Sequence, residues 1–438
     1  MVAGVWCRRD GRGGYERARP KRGKAPRMTD IAVDIFDIGL FLGLDLGKEF
    51  HHAHGLTGQG KTVHDKRLPN PEARLRELFD KLTAKFGTVL VIVDQVANIG
   101  ALPLTVARAT GCRVAYLPGL SMRRAADLYP GEAKTDARDA FIIADTARSM
   151  PHTLRAVDRD DEKLAGLTML TGYDNDLAGE VNRTSNRLRG LLSQIHPTLE
   201  RVVGPRLAYP YILALLERHG SPARLKKLGR ARCEALLKAH GSRKAHHLTG
   251  EIFDALAEQT VVVPGTEAST LIVPGLAAQL ATAHTQRRQA EQEIAALLEA
   301  LPLFPLLTSL PGLGVRTTAA VIVAIGDGTT FPTAGHLASY AGLAPATKSS
   351  GTSIRGEHAP HRGNRLLKQA LFQAAFAAIG CKADPSSRTY YDRQRASGKT
   401  HTQAILRLAR QRVNVIHAMI RTGTLYEPRT PSDVDLAA

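Results

Sequence analysis

The stretch Lys134-Thr135-Asp136-Ala137-Arg138-Asp139 sets two carboxylates three residues apart, just before the apolar run Ala140-Phe141-Ile142-Ile143-Ala144. On a helix those two positions share a face. Carboxylates held that close repel each other unless a cation lies between them or one takes up a proton, and a hard divalent ion is the usual partner for such oxygens. Acids in the first turn of a helix also favour its macrodipole, which accounts for this pair equally well when it is taken alone. Acids elsewhere in the chain decide between the two. Gly39-Leu-Phe-Leu-Gly-Leu-Asp45 and Val89-Leu-Val-Ile-Val93 followed by Asp94 each read as a buried strand running into an aspartate. Open α/β sheets bind ligands beyond their strand ends, so Asp45, Asp94, Asp136 and Asp139 form a candidate metal cluster. Without cations, four neighbouring carboxylates would hardly ionise together.

The elements that must position these acids follow from the periodicities. Two further strands, from His51 to Thr57 and from Lys61 to Leu68, flank a Gly58-Gln59-Gly60 turn. Leu75, Leu78, Phe79 and Leu82 recur at helical spacing before the Val89 strand. A helix near Leu104–Ala109, a strand at Arg113–Leu117, a helix near Met122–Leu128 and the Asp136 helix complete the order βββαβαβα, with the last two helical pieces counted as one broken element. That is the order of the ribonuclease H fold.

Composition narrows the partner. The 438 residues carry 59 Lys and Arg against 41 acids, a formal charge of +18, with only 5 % aromatic residues. An anionic polymer is the natural complement, and nucleic acid fits better than a membrane. No apolar run approaches the roughly 20 residues of a spanning helix, and the start lacks a hydrophobic signal core, so a cytoplasmic protein is expected. Cys7, Cys112, Cys233 and Cys381 are far apart with no CxxC pair, which argues against zinc and against a disulfide framework. Residues 1–27 are Gly- and Arg-rich without helical or strand period and read as a disordered basic arm, or as an over-extended reading frame ahead of Met28.

From Asp158 to Glu200 apolar positions recur at helical spacing, and a second such helix is expected over Ala277–Leu298. Together they suggest a coiled-coil arm, or equally a helical hairpin packed on its own domain. Pro205–Pro264, with the basic stretch Arg224–His247, reads as a small helical insertion. From Leu307 to Tyr426 a mainly α domain is expected, opening with Leu310-Pro-Gly-Leu-Gly-Val-Arg316 in the manner of a helix-hairpin-helix. There Gly312 and Gly314 permit a tight turn, and the following helix begins with N–H groups able to hold a phosphate. Arg316, Lys348, Arg355 and Arg362 complete the candidate nucleic-acid contacts. Tyr340 to Thr352, containing Ser349-Ser350-Gly351, reads as a polar loop between two helices, and taken alone it is a flexible loop rather than a nucleophile's seat. The expected divisions are an arm (1–35), a catalytic α/β domain (36–155), a long-helix region (156–300), a C-terminal domain (301–428) and a tail (429–438).

These residues together resemble the DEDD transposases of insertion-sequence family 110, a family that includes a DNA invertase branch. The resemblance covers nearly everything after Met28 and rests on Gly43-Leu-Asp45-Leu-Gly-Lys48, the strand ending at Asp94, and Lys134-Thr-Asp136-Ala-Arg-Asp139-Ala140. In the second half it continues through Leu310-Pro-Gly-Leu-Gly314, Tyr340-Ala-Gly-Leu-Ala-Pro345, Ser350-Gly351, Gly363-Asn364 and Tyr390-Tyr391. It implies a RuvC-like N-terminal domain binding Mg²⁺ through the four acids, and a serine transposase domain with Ser350 as nucleophile. It implies as well a structured guide RNA, DNA element ends and target as substrates, and self-association as a dimer or tetramer. One departure stands out: the family's second acid is usually Glu, and Asp94, one methylene shorter, occupies that place.

Overall fold

The structure, a computed structural model, describes residues 37–95, 98–131, 135–156, 162–328, 330–350, 354–358, 360 and 363–428. The basic arm, the C-terminal tail, Cys7 and Arg362 lie outside the described residues. Contacts divide the chain into two compact units, residues 1–159 and 160–438.

The first unit opens with three strands, β1 (Leu40–Asp45), β2 (Phe50–Leu56) and β3 (Thr62–Pro69), followed by α1 (Glu72–Phe86) and β4 (Val89–Val93). Then come α2 (Ala101–Ala109), β5 (Arg113–Tyr116), α3 (Gly119–Ala126), α4 (Asp136–Ser149) and a two-residue β6 (Arg155–Ala156). The sheet order is β3-β2-β1-β4-β5-β6. β2 and β3 run antiparallel to their neighbours, whereas β1, β4 and β5 are parallel. β4, Val-Leu-Val-Ile-Val, is buried along its whole length because helices cover both faces. Alternation splits its side chains: Val89, Val91 and Val93 join Leu42, Leu44, Leu75 and Phe79 under α1 and α2. Leu90 and Ile92 join Phe41, Ile143 and Ala147 under α4. The sixth strand was not expected from the sequence, since two residues are too few to leave a period.

The second unit begins with α5 (Glu162–Ile195), α6 (Pro197–Val203), α7 (Pro210–His219), α8 (Pro222–Leu228), α9 (Arg230–Ala239), α10 (Ala245–Ala257) and α11 (Thr266–Glu299). The first long helix stops before the expected Glu200. Pro197 cannot extend it, and His196 Nδ1 instead accepts the Leu199 N–H to cap a new helix. The second starts earlier than Ala277 and runs through Pro274, where Pro274-Gly275 interrupts the helical signal but not the helix. α5 and α11 pack on each other and join two cores. One, with Leu188, Leu192, Ile212, Leu248 and Val273, is shared with α6–α10. The other takes Leu167, Ile294 and Leu298 into the C-terminal helices.

Those are α12 (Leu303–Thr308), α13 (Val315–Ile325), α14 (Ala334–Tyr340), α15 (Arg365–Ile379), α16 (Pro385–Ala396) and α17 (His401–Thr422). Between α14 and α15 the expected polar loop is instead a β-hairpin, β7 (Ala346–Ser350) and β8 (Ile354–His358), with Ser350 opposite Ile354. The Gly- and Ser-rich sequence there obscures two short strands that are defined by their pairing. No described helix is long and apolar enough to cross a membrane.

Candidate active site

Register brings the strand-end acids together. β1 and β4 are parallel neighbours with Leu44 opposite Val93, so the next residues, Asp45 and Asp94, stand side by side where the strands end. Counting by twos places both on the face of Phe41, Leu90 and Ile92, which is the α4 face. Gly43 lets α4 approach: a Cβ there would lie 2.2 Å from the Ala140 carbonyl oxygen and 2.7 Å from the Ala144 nitrogen. The helix therefore crosses β1 backbone to backbone at Gly43, two residues short of Asp45. Thr135 caps it, its Oγ1 accepting the Arg138 N–H at 3.3 Å, so Asp136 and Asp139 occupy the first turn. Asp145 ties the helix to the preceding segment by accepting from the Tyr129 hydroxyl at 2.6 Å, and it is steadied by Arg148 of its own helix at 2.6 and 2.9 Å.

The electrostatics follow the crowding. Burial, then repulsion from Asp94, Asp139 and Asp136, lifts the Asp45 carboxyl from an ordinary 3.8 to about 6, against a smaller opposing pull from His52. Burial, with Asp139 adding to it, also raises Asp94, and its Oδ1 is buried without a hydrogen-bond partner. Among the described residues no three or more His, Cys, Asp or Glu side chains are already arranged to hold a metal ion. The acids are thus neighbours by charge rather than a closed cage. An all-oxygen donor set with an unpartnered buried oxygen nevertheless suits a hard divalent cation.

Replacing Gly43 by alanine is expected to push α4 off β1, because the atoms in the way are backbone and cannot rotate aside. A loss of about 1–3 kcal/mol in stability should follow, read from thermal melts. A parent-like melting temperature in Gly43→Ala would show that the close crossing does not constrain the packing of α4 on β1.

In the second unit the hairpin bearing Ser350 is closed at its base. The Asn364 N–H donates to the Tyr340 carbonyl at 2.7 Å and its side-chain amide to the Tyr340 hydroxyl at 3.0 Å. Asn364 Oδ1 meanwhile caps α15 by accepting the Leu367 N–H. Gly363, at φ +123°, lets the chain pass close to Gly342, where a notional Cβ would lie 2.5 Å from the Gly342 nitrogen. The residues quoted from both flanks of the serine thus form one clasp.

Two family models match the chain: one described as transposase over residues 42–197, and one described as transposase of the IS116/IS110/IS902 family over residues 305–392. The 43.6 kDa protein of insertion element IS110 from Streptomyces coelicolor is 65 % identical over 405 residues, covering 92 % of this chain and all of the relative. The chain belongs to the IS110 family of transposases. The 42 kDa protein of insertion element IS900 from Mycobacterium paratuberculosis is 35 % identical over 399 residues, 89 % of this chain and 98 % of the relative. A pilin gene-inverting protein of Moraxella bovis is 37 % identical over 125 residues, 28 % of this chain and 38 % of the relative.

In this transposase the residues expected to meet nucleic acid are placed in several ways. Gly312 is held at φ +91° with a notional Cβ 2.2 Å from the Ala374 carbonyl oxygen, so its smallness serves the packing of the turn on α15. The Gly314 N–H is taken by Thr317 Oγ1 at 2.9 Å. Arg316 is engaged inside the unit: its Nε lies 3.2 Å from Asp174, its Nη2 3.2 Å from Glu291 and 2.8 Å from the Arg287 carbonyl. Asp174, buried on α5, also receives Arg287 of α11 through two bonds of 3.0 and 3.1 Å. Lys348 and Arg355 sit on β7 and β8.

Sequence reasoning missed His52. It pairs with Asp45 across β1 and β2, and its Nε2 lies 2.7 Å from Asp65 Oδ1. The alternation of His52 and His54 on one face of β2 was the available signal.

Proposed function

We propose that this transposase cuts and rejoins DNA strands with Ser350 as nucleophile, in a RuvC-like, ribonuclease H-like domain that holds Mg²⁺ through Asp45, Asp94, Asp136 and Asp139. The observation carrying this reading is the convergence of four carboxylates beside β1 with the Asp45 carboxyl lifted to about 6. The sheet order, three antiparallel strands followed by parallel ones, supports the ribonuclease H-like assignment. The short α12, the Pro311–Gly314 turn and α13 support a helix-hairpin-helix.

When bound, Mg²⁺ would polarise the scissile phosphate and steady the attacking and leaving oxygens. Asp45, Asp94, Asp136 and Asp139 supply the negative oxygens, and Gly43 sets the distance between strand and helix. Ser350 Oγ gives up its proton and forms a bond to phosphorus as the bond from phosphorus to one sugar oxygen breaks, and that oxygen leaves as a hydroxyl. In rejoining, a hydroxyl of the new strand attacks the phosphoserine ester and returns the serine, so the bond energy is kept and no high-energy cofactor is consumed. The reading includes assembly of several copies, and it favours the serine of one copy serving the acids of another over the same meeting within one chain. A structured guide RNA pairing with target and donor DNA is part of the same reading, as the strong positive charge of the chain allows.

The test is to trap the reaction on labelled DNA. A covalent protein–DNA adduct is expected in the parent and in Ser349→Ala, and none in Ser350→Ala. Cleavage without any adduct would assign the attack to water and make the protein a junction-type nuclease.

A further inference from the structure

The motif residues Tyr390 and Tyr391 stand on α16, and the surface around them carries a second reading. Phe376 on α15 is 56 % exposed, although the buried residues of that helix, Leu367, Ala370, Leu371, Ala374, Ala375 and Ala378, already supply its core face. Its ring meets His401 edge-on at 6.1 Å and 86°, and Tyr391 meets the same imidazole from another helix at 5.8 Å and 82°. Phe376 and His401 keep ring surface open to water, and Tyr391 is partly buried beside them. The assembly is fixed in place: the Tyr391 hydroxyl is hydrogen-bonded to His401 Nδ1 at 2.8 Å, and Thr400 and Gln403 cap the helix on which His401 stands. Beside it the Arg393 guanidinium stacks on Tyr390 at 5.3 Å.

Charge says what would cover these rings. Between Arg365 and Thr422 the chain has eleven Lys and Arg and two acids. Both acids are already spent, Asp392 on Arg388 at 2.8 Å and Asp384 on Arg412 at 3.2 Å. An exposed apolar protein face offers no charge to this surface. A nucleic-acid strand offers phosphates for the cations and unstacked bases for the rings. A duplex hides its base faces, which leaves a single strand. We propose that Phe376, Tyr391 and His401 form a stacking platform for an unpaired stretch of DNA, with Arg393, Arg395, Lys399 and Arg407 along its backbone. This rests on the reading of the protein as a DNA recombinase, whose strand exchange must at some point expose unpaired bases.

The experiment measures binding of a fluorescein-labelled twenty-nucleotide oligo(dT) to the full chain in EDTA, where no cleavage is needed and failure of the serine reading has no effect. Phe376→Ala and Phe376→Leu are each expected to weaken binding about 5- to 100-fold, while Phe376→Tyr restores it and the affinity for a blunt duplex of equal length stays unchanged. Because Phe376 is exposed, its variants should melt with the parent, and Tyr391→Leu provides a second ring to remove. The salt dependence should keep its slope in the ring variants, since no phosphate contact is lost. Unchanged oligo(dT) binding in both Phe376→Leu and Tyr391→Leu overturns the proposal. So does an equal loss of single-strand and duplex binding, or tighter binding of oligo(U) RNA than of oligo(dT).

Discussion

Asp45→Asn is expected to reduce strand cleavage by more than about a thousandfold while leaving DNA affinity within about twofold, because in the proposed reaction the carboxylate holds the metal whereas dispersed Lys and Arg hold the DNA. The same change should stabilise the metal-free protein. Asp45 titrates near 6 in the folded chain because burial and its three acidic neighbours oppose its charge. A carboxyl raised by folding favours the folded state below its ordinary value, and that advantage is lost as pH rises through the folded value. At pH 8 the ionised aspartate is therefore a burden, and the neutral amide removes it. The group is only partly buried, so after solvent screening the gain is on the order of 1 kcal/mol, visible in melts recorded in EDTA and absent at pH 3. Asp136→Ala should lose cleavage similarly. Normal cleavage by either variant would remove the carboxylate cluster from the mechanism.

Arg412→Met is expected to cost about 3–5 kcal/mol of stability. Arg412 and Asp384 are 5 % and 1 % exposed. The guanidinium reaches Asp384 at 3.2 Å, Ser387 Oγ at 3.0 Å and the Pro311 carbonyl. Tyr426 adds its hydroxyl to Asp384 at 3.3 Å and its N–H to Ser309 at 2.9 Å. Methionine would fill much of the volume but leave a buried carboxylate and carbonyl without their partner. Burial alone would raise Asp384, yet the Ser386 and Ser387 hydroxyls and then Arg412 hold it below its ordinary 3.8. A carboxyl depressed by folding stabilises above its ordinary value and loses that contribution as pH falls through the lower folded one. The gap between the parent and Arg412→Met should therefore narrow as pH falls through the lowered folded value, and urea titrations at pH 7 and at successively more acid pH measure it. An equal gap throughout would place the stabilisation in packing rather than in the ion pair.

Much of the first unit was readable in the sequence because its strands are short, buried and punctuated. Val89–Val93 has the expected bounds, and the aspartates fall at the ends of β1 and β4. Register was not readable. Nothing local says that Leu44 faces Val93, and it is this pairing that sets Asp45 beside Asp94. The role of Gly43 was equally hidden, since a glycine inside a strand signals some close approach without naming α4 as the visitor. In the second unit Ser349-Ser350-Gly351 carried turn propensity strong enough to obscure the hairpin, whose strands are defined by pairing across it. Arg316 looked like a phosphate ligand because its buried partner Asp174 lies 142 residues away.

That partnership has a consequence for how the helical unit keeps its dimensions. α5 and α11, each 34 residues and about 50 Å long, meet partly through small side chains such as Ala277, Ala283 and Ala290, which would tolerate sliding. A slip of one residue turns a helix by about 100° and would carry Arg287 away from Asp174, leaving the buried carboxylate with Arg316 as its one remaining cation. The clamp of Asp174, Arg287 and Arg316 thus acts as the zero mark of a ruler, fixing at one value the spacing between the α6–α10 core and the core that carries the serine hairpin.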